Sequence, residues 1–439
     1  MRLPKGLLVG LWPWAVNDAQ TPEALPPSTP IPASSKLSFT LRHIHGHRGS
    51  QVALKDISPS DLVRIQTSNP DYQTTFDIPP VRVKTYKPRE QAQFFRVREA
   101  SVRRAWMQRR GFPISVLDKE EVVVWDEWEV PGPNTGDRET LRTLAKMTWN
   151  AYIPPDDGQW YDLGEDWGTT MPFGWEPDAD GLRGHVFVTN NNDTVVVSIK
   201  GTSAGAFGGG GPTVGNDKLN DNLLFSCCCA RVGPTWSPVC GCFGGRNRCD
   251  ENCVQEALAN DSLFYPVGTN LYNNITYMYP NANIWFTGHS LGGSLSGLLG
   301  VTFGSPVVSF ESPGDRMPAR RLHLPKPPDL QHITHIFHTA DPIPMGTCNG
   351  VLSSCAIAGF AMESRCHVGK KRLYDTVSRY GWSQDVRTHR IGVIIDKLLA
   401  EDWEEGKPVP DETSDGEDCE QQECYSWEYG DFNLSLASP

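Results

Sequence analysis

The chain has 439 residues, of which 38% are hydrophobic, so it can form one large folded domain or two smaller ones. Its net charge of −12 arises in the last 39 residues, which hold 13 acidic side chains and a single lysine. The first 400 residues are neutral, with 39 acids and 39 bases, and lack the broad positive field that nucleic-acid binding uses. These numbers argue against a disordered chain and against nucleic acid as a partner.

The amino end has the layout of a secretory leader. Arg2 and Lys5 precede an apolar run over residues 6–16, which is shorter than the roughly 20 residues that span a bilayer. We predict residues 1–20 to be either a cleaved signal peptide or a short signal anchor, and in the second case the amino end tethers the chain to a membrane. Residues 21–35 contain five prolines and predict an extended stalk.

Cysteines and glycosylation motifs agree with that route. The twelve cysteines form three clusters, and seven of them lie between Cys227 and Cys253. None of the spacings repeats the paired CxxC of a structural zinc site, so we predict disulfides formed in an oxidising compartment and no metal. Four Asn-x-Ser/Thr motifs predict N-glycosylation, at Asn192, Asn260, Asn274 and Asn433.

The chain divides into several predicted segments. In residues 36–136, alternating patterns predict strands over 37–44 and 81–86 and a helix over 89–110, as an extension packed on the main domain. Residues 137–400 predict an α/β domain, with a hairpin of strands over 184–189 and 194–199. A Gly- and Cys-rich insertion occupies residues 204–253, and the acidic residues 401–439 predict a disordered tail.

A nucleophile motif lies in the middle of the main domain. The buried strand predicted over residues 283–287 leads directly into Gly288-His289-Ser290-Leu291-Gly292-Gly293, and a small-residue helix follows. A strand, a sharp turn that needs glycine beside the serine, and a helix are the context that GxSxG requires. We therefore predict Ser290 to be a catalytic nucleophile.

The serine needs a base, an acid and oxyanion donors. The chain order Ser, acid, His requires both partners to follow Ser290. Asp341 is favoured over Asp315 as the acid because it comes just after a β-rich run over residues 333–338. His389 is favoured over His367 as the base because it lies in a loop just before an apolar helix. One predicted oxyanion donor is the backbone N–H of Leu291. The other is Thr202, in the loop that follows an earlier strand. This chemistry requires no cofactor.

These motifs resemble the fungal-type (class 3) lipases over about residues 137–400. Within that family, the stretches over residues 310–317, 338–350 and 385–389 resemble the autophagy-related vacuolar lipases of fungi. The resemblance implies an α/β-hydrolase fold of the class 3 lipase type and a triad of Ser290, Asp341 and His389. It also implies a glycoprotein that passes from the endoplasmic reticulum and Golgi through endosomes and multivesicular bodies to the vacuole lumen. There it would lyse autophagic bodies by hydrolysing acylglycerols and membrane phospholipids.

Several alternatives stay open. The same triad could serve a soluble carboxylesterase, for example on carbohydrate esters, or the chain could be a catalytically silent membrane-binding adaptor. The Cys-rich insertion stands where class 3 lipases have an amphipathic lid. It could be a movable lid, with Leu223, Leu224 and Phe225 as its apolar face and residues 208–211 as its hinge, or a rigid disulfide knob.

Overall fold

The structure is a computed structural model that describes residues 36–48, 51–68, 75–110, 121–152, 181–202, 214–231, 236–261 and 263–432. The predicted leader and stalk, the predicted hinge over residues 208–211 and the sequon at Asn433 lie outside the described residues. No helix in the described ranges is long and apolar enough to cross a membrane.

A ten-stranded mixed sheet forms the centre of the fold, in the order β14-β13-β12-β11-β10-β7-β6-β1-β2, with β3 also paired to β1. Five neighbouring strands are parallel and carry the site at their carboxyl ends. They are β7 (Thr194–Ile199), β10 (Asn283–His289), β11 (Val307–Phe310), β12 (Ile333–His338) and β13 (Lys370–Tyr374). The first four of these strands are buried on both faces, as expected for parallel strands covered by helices, whereas β13 carries Lys370, Lys371 and Arg372 and is half-buried.

The amino-terminal extension is part of this sheet. Strand β1 (Leu37–Arg48) pairs with β6 (Gly184–Thr189), and it also pairs with β2 (Gln51–Asp56) and β3 (Thr75–Ile78). A separate two-stranded sheet joins β4 (Pro80–Pro88) to β5 (Trp125–Pro133). Its contacts reach the main domain directly, since Trp285 donates its indole N–H to the Pro131 carbonyl oxygen at 2.8 Å.

Helices cover both faces of the central sheet. They are α1 (Pro59–Ser68), α2 (Gln91–Arg109), α3 (Arg138–Asn150), α4 (Val214–Phe225), α5 (Glu251–Asp261), α6 (Phe264–Met278), α7 (Leu291–Phe303), α8 (Arg316–Arg321), α9 (Ser354–Ala358), α10 (Thr376–Tyr380), α11 (Ile391–Val393) and α12 (Asp418–Gln422). A 3₁₀ turn (Val386–His389) precedes α11, and a π turn (Ile394–Leu398) follows it. Two apolar clusters result, one on each side of the sheet.

The Cys-rich insertion forms a compact knob. Disulfides join Cys228 to Cys249, Cys229 to Cys240, and Cys242 to Cys253, around a small core of their own. Strands β8 (Phe243–Gly245) and β9 (Arg248–Asp250) form its hairpin. Leu223, Leu224 and Phe225, which form the apolar face in the lid alternative, are buried in the core at the end of α4.

The prediction of a disordered acidic tail is wrong for residues 401–432. Cys419 is bonded to Cys366, and Cys424 to Cys227. Strand β14 (Glu412–Thr413) extends the central sheet, and β15 (Glu428–Gly430) pairs with β9. The tail's acids lie against bases of the neutral body, in pairs that include Lys370–Glu412, Lys371–Asp415, Arg379–Glu404 and Arg138–Asp402. The acidic composition indicated a solvated segment, because composition does not show which cysteines and bases elsewhere in the chain pair with the tail.

Candidate active site

Ser290 lies on a strained turn between β10 and α7. Its backbone has φ of 56° and ψ of −130°, a combination that L-residues rarely adopt. The flanking glycines make the turn possible: a Cβ on Gly288 would lie 2.4 Å from the Gly292 carbonyl oxygen, and one on Gly292 would lie 2.3 Å from the Ile199 carbonyl oxygen. The turn therefore projects Ser290 at the carboxyl edge of the sheet, as the motif predicts.

The structure brings the three predicted triad residues together. His389 Nε2 lies 2.8 Å from Ser290 Oγ, and His389 Nδ1 lies 2.6 Å from Asp341 Oδ2. The other oxygen of Asp341 accepts the backbone N–H of Ile343 at 3.0 Å. Burial works to raise the pKa of Asp341, but the charge and hydrogen bond of His389 outweigh it and lower that pKa. An ionised Asp341 can therefore orient the ring, with Nε2 toward Ser290.

The two competing residues lie elsewhere. His367 Nε2 is 2.9 Å from the Ser312 carbonyl oxygen, and its backbone N–H donates to Asp415. Asp315 accepts the backbone N–H of Val368 at 2.8 Å, and burial raises its pKa to about 7. Neither residue is within hydrogen-bond distance of Ser290 or His389 in the described contacts, so neither can act directly on the nucleophile or its base.

The predicted oxyanion loop abuts the nucleophile. A Cβ on Gly201 would lie 2.9 Å from Ser290 Cβ and 2.3 Å from the His289 carbonyl oxygen, so only glycine allows this approach. Thr202 follows directly and is 9% exposed, while Leu291 is the first residue of α7. The backbone N–H groups of Thr202 and Leu291 thus belong to the two segments that flank Ser290, where an oxyanion would form.

Helix α4 places two buried acids behind this loop, a feature that sequence reasoning missed. Asp221 Oδ2 lies 2.6 Å from Thr202 Oγ1, and Asp217 lies 3.6 Å from the Lys200 ammonium group. Burial raises the pKa of Asp221 to about 8 and lowers the pKa of Lys200. The only signal in the sequence is the spacing of Asp217 and Asp221 by four residues, which places both on one face of a helix.

A second missed group is the histidine inside the nucleophile motif. His289 Nε2–H donates to the His389 carbonyl oxygen at 2.7 Å, and its Nδ1 lies 2.6 Å from the Tyr152 hydroxyl. That hydroxyl in turn accepts the backbone N–H of Gly201 at 3.0 Å. Burial lowers the pKa of His289 to about 3, so the ring is neutral. The chain of hydrogen bonds ties the oxyanion loop to the segment that carries the base.

Glu311 adds a second carboxyl group beside Asp341. It follows β11 with φ of 45°, is fully buried, and lies 3.7 Å from His338 Nε2. Burial, and after it the charge of Asp341, raises the pKa of Glu311 well above its usual range. A protonated Glu311 is uncharged and therefore avoids repulsion with the ionised Asp341 carboxylate.

The remaining predicted positions are on the surface or in disulfides. Asn192, Asn260 and Asn274 are exposed, as glycosylation would require. Cys229, Cys240 and Cys242 have sulfurs close enough to hold a metal ion, but each is already in a disulfide. They therefore offer no thiolate, which is the form of cysteine that binds a metal.

The sheet order, the strained Ser290 turn and the hydrogen bonds that join Ser290, His389 and Asp341 match the α/β-hydrolase fold. The model of the lipase (class 3) family matches residues 259–349. This match and the curated relatives support an ATG15-like class 3 lipase.

Two curated relatives support this assignment. The chain is 62% identical over 290 residues to "Putative lipase ATG15" of Cryptococcus neoformans var. neoformans, a match that covers 64% of this chain and 56% of the relative. It is 47% identical over 323 residues to the protein of the same name from Saccharomyces cerevisiae, covering 72% and 60%. The chain thus spans somewhat more than half the length of these curated relatives.

Solved lipases are more distant. The Lip2 lipase from Yarrowia lipolytica has 16% identity and a TM-score of 0.27, and the match covers 54% of this chain and 81% of the solved chain. The Rhizomucor miehei lipase propeptide complex also has 16% identity and a TM-score of 0.27, covering 61% and 77%.

Proposed function

We propose that this chain is a lipase and phospholipase that hydrolyses carboxylic esters of acylglycerols and membrane phospholipids. The observation that carries the proposal is the hydrogen-bonded chain from Ser290 Oγ through His389 to Asp341. In this arrangement His389 can activate the neutral hydroxyl group of Ser290 as a nucleophile, and the reaction needs no cofactor.

In the proposed acyl transfer, each of these residues has one step. Ser290 Oγ attacks the ester carbonyl carbon while His389 Nε2 takes the hydroxyl proton, and Asp341 stabilises the imidazolium that forms. The oxyanion is bound at the segments that carry Thr202 and Leu291. His389 then protonates the leaving alkoxide, and the same ring activates a water molecule that hydrolyses the acyl-serine.

The cellular part of the proposal comes from the relatives. The name ATG15 associates them with autophagy, and we propose that this chain lyses autophagic bodies, Cvt bodies and multivesicular-body vesicles in the vacuole. It would reach the vacuole lumen through the endoplasmic reticulum, Golgi and multivesicular bodies, with glycans at Asn192, Asn260 and Asn274. The six disulfides of the chain, which form in oxidising compartments, support the secretory part of this route.

The test is hydrolysis of phospholipid vesicles and emulsified triacylglycerol by the purified chain and by Ser290→Ala. We expect fatty-acid release by the wild type only, and a fluorophosphonate probe should label the wild type at Ser290. Ser294→Ala is a matched control. The Ser294 hydroxyl group is buried like that of Ser290, but it lies on α7 and donates to the Pro313 carbonyl oxygen. Release by Ser290→Ala at the wild-type rate would refute the assignment, and hydrolysis confined to short soluble esters would favour the carboxylesterase alternative.

A further inference from the structure

One segment that follows the site, partly buried and partly exposed, has an unusual composition. Residues 342–362, which follow Asp341, contain no charged side chain, although 21% of the chain is charged. A stretch of 21 residues would ordinarily carry about four charges at that frequency. Surface loops are usually polar because they face water.

Three large apolar side chains of this segment point into solvent. Val351 is 55% exposed, Leu352 is 86% exposed, and Ile357, on α9, is 77% exposed. Single exposed apolar residues are common on protein surfaces, but three within seven positions of an uncharged loop form a patch. We call residues 348–358 the apolar loop.

The apolar loop is held in one shape. A disulfide joins Cys348 to Cys355, and the Ser353 side chain caps α9 by accepting the backbone N–H of Ala356 at 3.1 Å. Gly359, with φ of 97°, ends the helix. A loop already ordered in this way loses little conformational entropy when it enters another phase, so its apolar tips are available for insertion.

The base of the apolar loop rests on the helix that supports the oxyanion loop. Lys218 Nζ donates to the Ala358 carbonyl oxygen at 3.3 Å, and Asn222 Nδ2 donates to the Gly359 carbonyl oxygen at 3.0 Å. Asn222 is adjacent to Asp221, the partner of Thr202. The loop also departs from the carboxyl end of β12, the sheet edge at which Ser290 lies. The apolar loop is thus fixed at its base to the helix that carries Asp221.

We propose that the apolar loop docks this chain on lipid, with Val351, Leu352 and Ile357 inserted among the acyl chains of a bilayer or an emulsion droplet. This role rests on the proposed function and specifies how that site meets its substrate. A lipid surface fits because it is the partner that accepts apolar side chains without requiring complementary charges, and the loop has no charges to offer. Docking through a rigid loop beside the site keeps Ser290 near the interface.

The binding test uses the full chain with Ser290→Ala, so that vesicles stay intact. Phosphatidylcholine vesicles are floated with this protein and with a version that also carries Val351→Ser, Leu352→Ser and Ile357→Ser. We expect at least about a tenfold loss of vesicle binding, because each change removes an apolar side chain that would be buried among the acyl chains of the vesicle. The matched control carries Val63→Ser, Val122→Ser and Tyr277→Ser, which are equally exposed but lie outside the apolar loop, and it should bind like the parent.

Activity provides the second measurement, with Ser290 restored. The triple loop variant should hydrolyse a short soluble ester within about twofold of wild type and lose about tenfold on vesicles. Unchanged vesicle binding, or equal loss on both substrates, overturns the proposal. A changed sedimentation coefficient would assign the loop to a contact between copies, and a melting temperature lowered by several degrees would assign it to internal packing; either overturns it. Failure of the Ser290 assignment would appear separately, as hydrolysis that survives Ser290→Ala while vesicle binding is unaffected.

Discussion

Thr202 and Asp221 share a hydrogen bond of 2.6 Å behind the nucleophile, and the protonation state of Asp221 decides which of them donates. An ionised Asp221 can only accept, so it takes the Thr202 hydroxyl proton. A protonated Asp221 can donate to Thr202 Oγ1 and leave the Thr202 hydroxyl proton for an oxyanion. Since burial raises the pKa of Asp221 to about 8, the protonated form prevails at neutral and acidic pH.

This relationship predicts an alkaline limit to turnover. We expect kcat on a soluble ester to fall as pH rises through about 8, because ionised Asp221 withdraws the Thr202 hydroxyl. Thr202→Val should reduce kcat by roughly 10²-fold, the usual loss for one oxyanion donor, and should remove that limb of the profile. A Thr202→Val profile with the same alkaline limb would assign the limb to another group.

The acid of the triad is tested by a pair of amide substitutions. Asp341→Asn should lower kcat by about 10⁴-fold, because the amide no longer holds the correct His389 tautomer. Asp315→Asn is the control, since Asp315 is just as buried but bonds to Val368. Stopped assays at neutral pH, with circular dichroism to confirm folding, make the comparison. A larger loss for Asp315→Asn would contradict the assignment.

The role of Glu311 is tested by the difference between glutamine and alanine. Because burial raises the pKa of Glu311 well above its usual range and so favours the neutral form, Glu311→Gln should keep kcat within about fivefold. Glu311→Ala should lower kcat further and change the acid limb of the profile, because Asp341 loses its neighbour. Equal values for the two variants at every pH would show that Glu311 only fills space.

Buried histidines predict a loss of stability in acid. Burial lowers the pKa of His332 to about 4, and its Nε2–H donates to the Gly300 carbonyl oxygen at 3.1 Å. When the pKa of a histidine is lower in the folded state than in the unfolded state, the unfolded chain takes up the proton first as pH falls. The stability contribution is therefore complete at pH values above the unfolded-state pKa near 6.5 and is lost as pH falls toward 4. The full effect of such a shift is on the order of 3 kcal/mol. Urea unfolding of wild type and His332→Gln at pH 7 and pH 4 should show a smaller acid loss for the variant.

The ordered tail changes what truncation should do. Removal of a disordered tail would leave hydrolysis nearly unchanged, but a cut that removes residues 401–439 deletes β14 and the partners of Cys366 and Cys227. We expect truncation to lower the melting temperature strongly, and Cys419→Ala to cost about 2–5 kcal/mol of unfolding free energy. Truncation after residue 432, which keeps both disulfides, is the control and should melt like wild type.

Local pattern was enough to predict the elements and the reacting groups. The hairpin strands over 184–189 and 194–199 and strand 333–338 match the structure residue for residue, because buried β-rich runs bounded by turns are local signals. Chain order together with local context predicted a triad of Ser290, Asp341 and His389, and these three side chains are hydrogen-bonded in the structure. The disulfide-rich state also followed from the cysteine count, although the pairing did not.

Only the tertiary structure decided what surrounds these groups. Asp221, Glu311 and His289 acquire their shifted pKa values from burial, which depends on residues far apart in the chain. Composition indicated that Asp411 and its neighbours were a solvated tail, yet disulfides from Cys419 and Cys424 fold this segment onto the body. The exposure of Leu352 was equally invisible, because an apolar residue in a sequence does not show whether it faces a core or a solvent. Burial and pairing are properties of the assembled fold, while periodicity and chain order belong to the sequence.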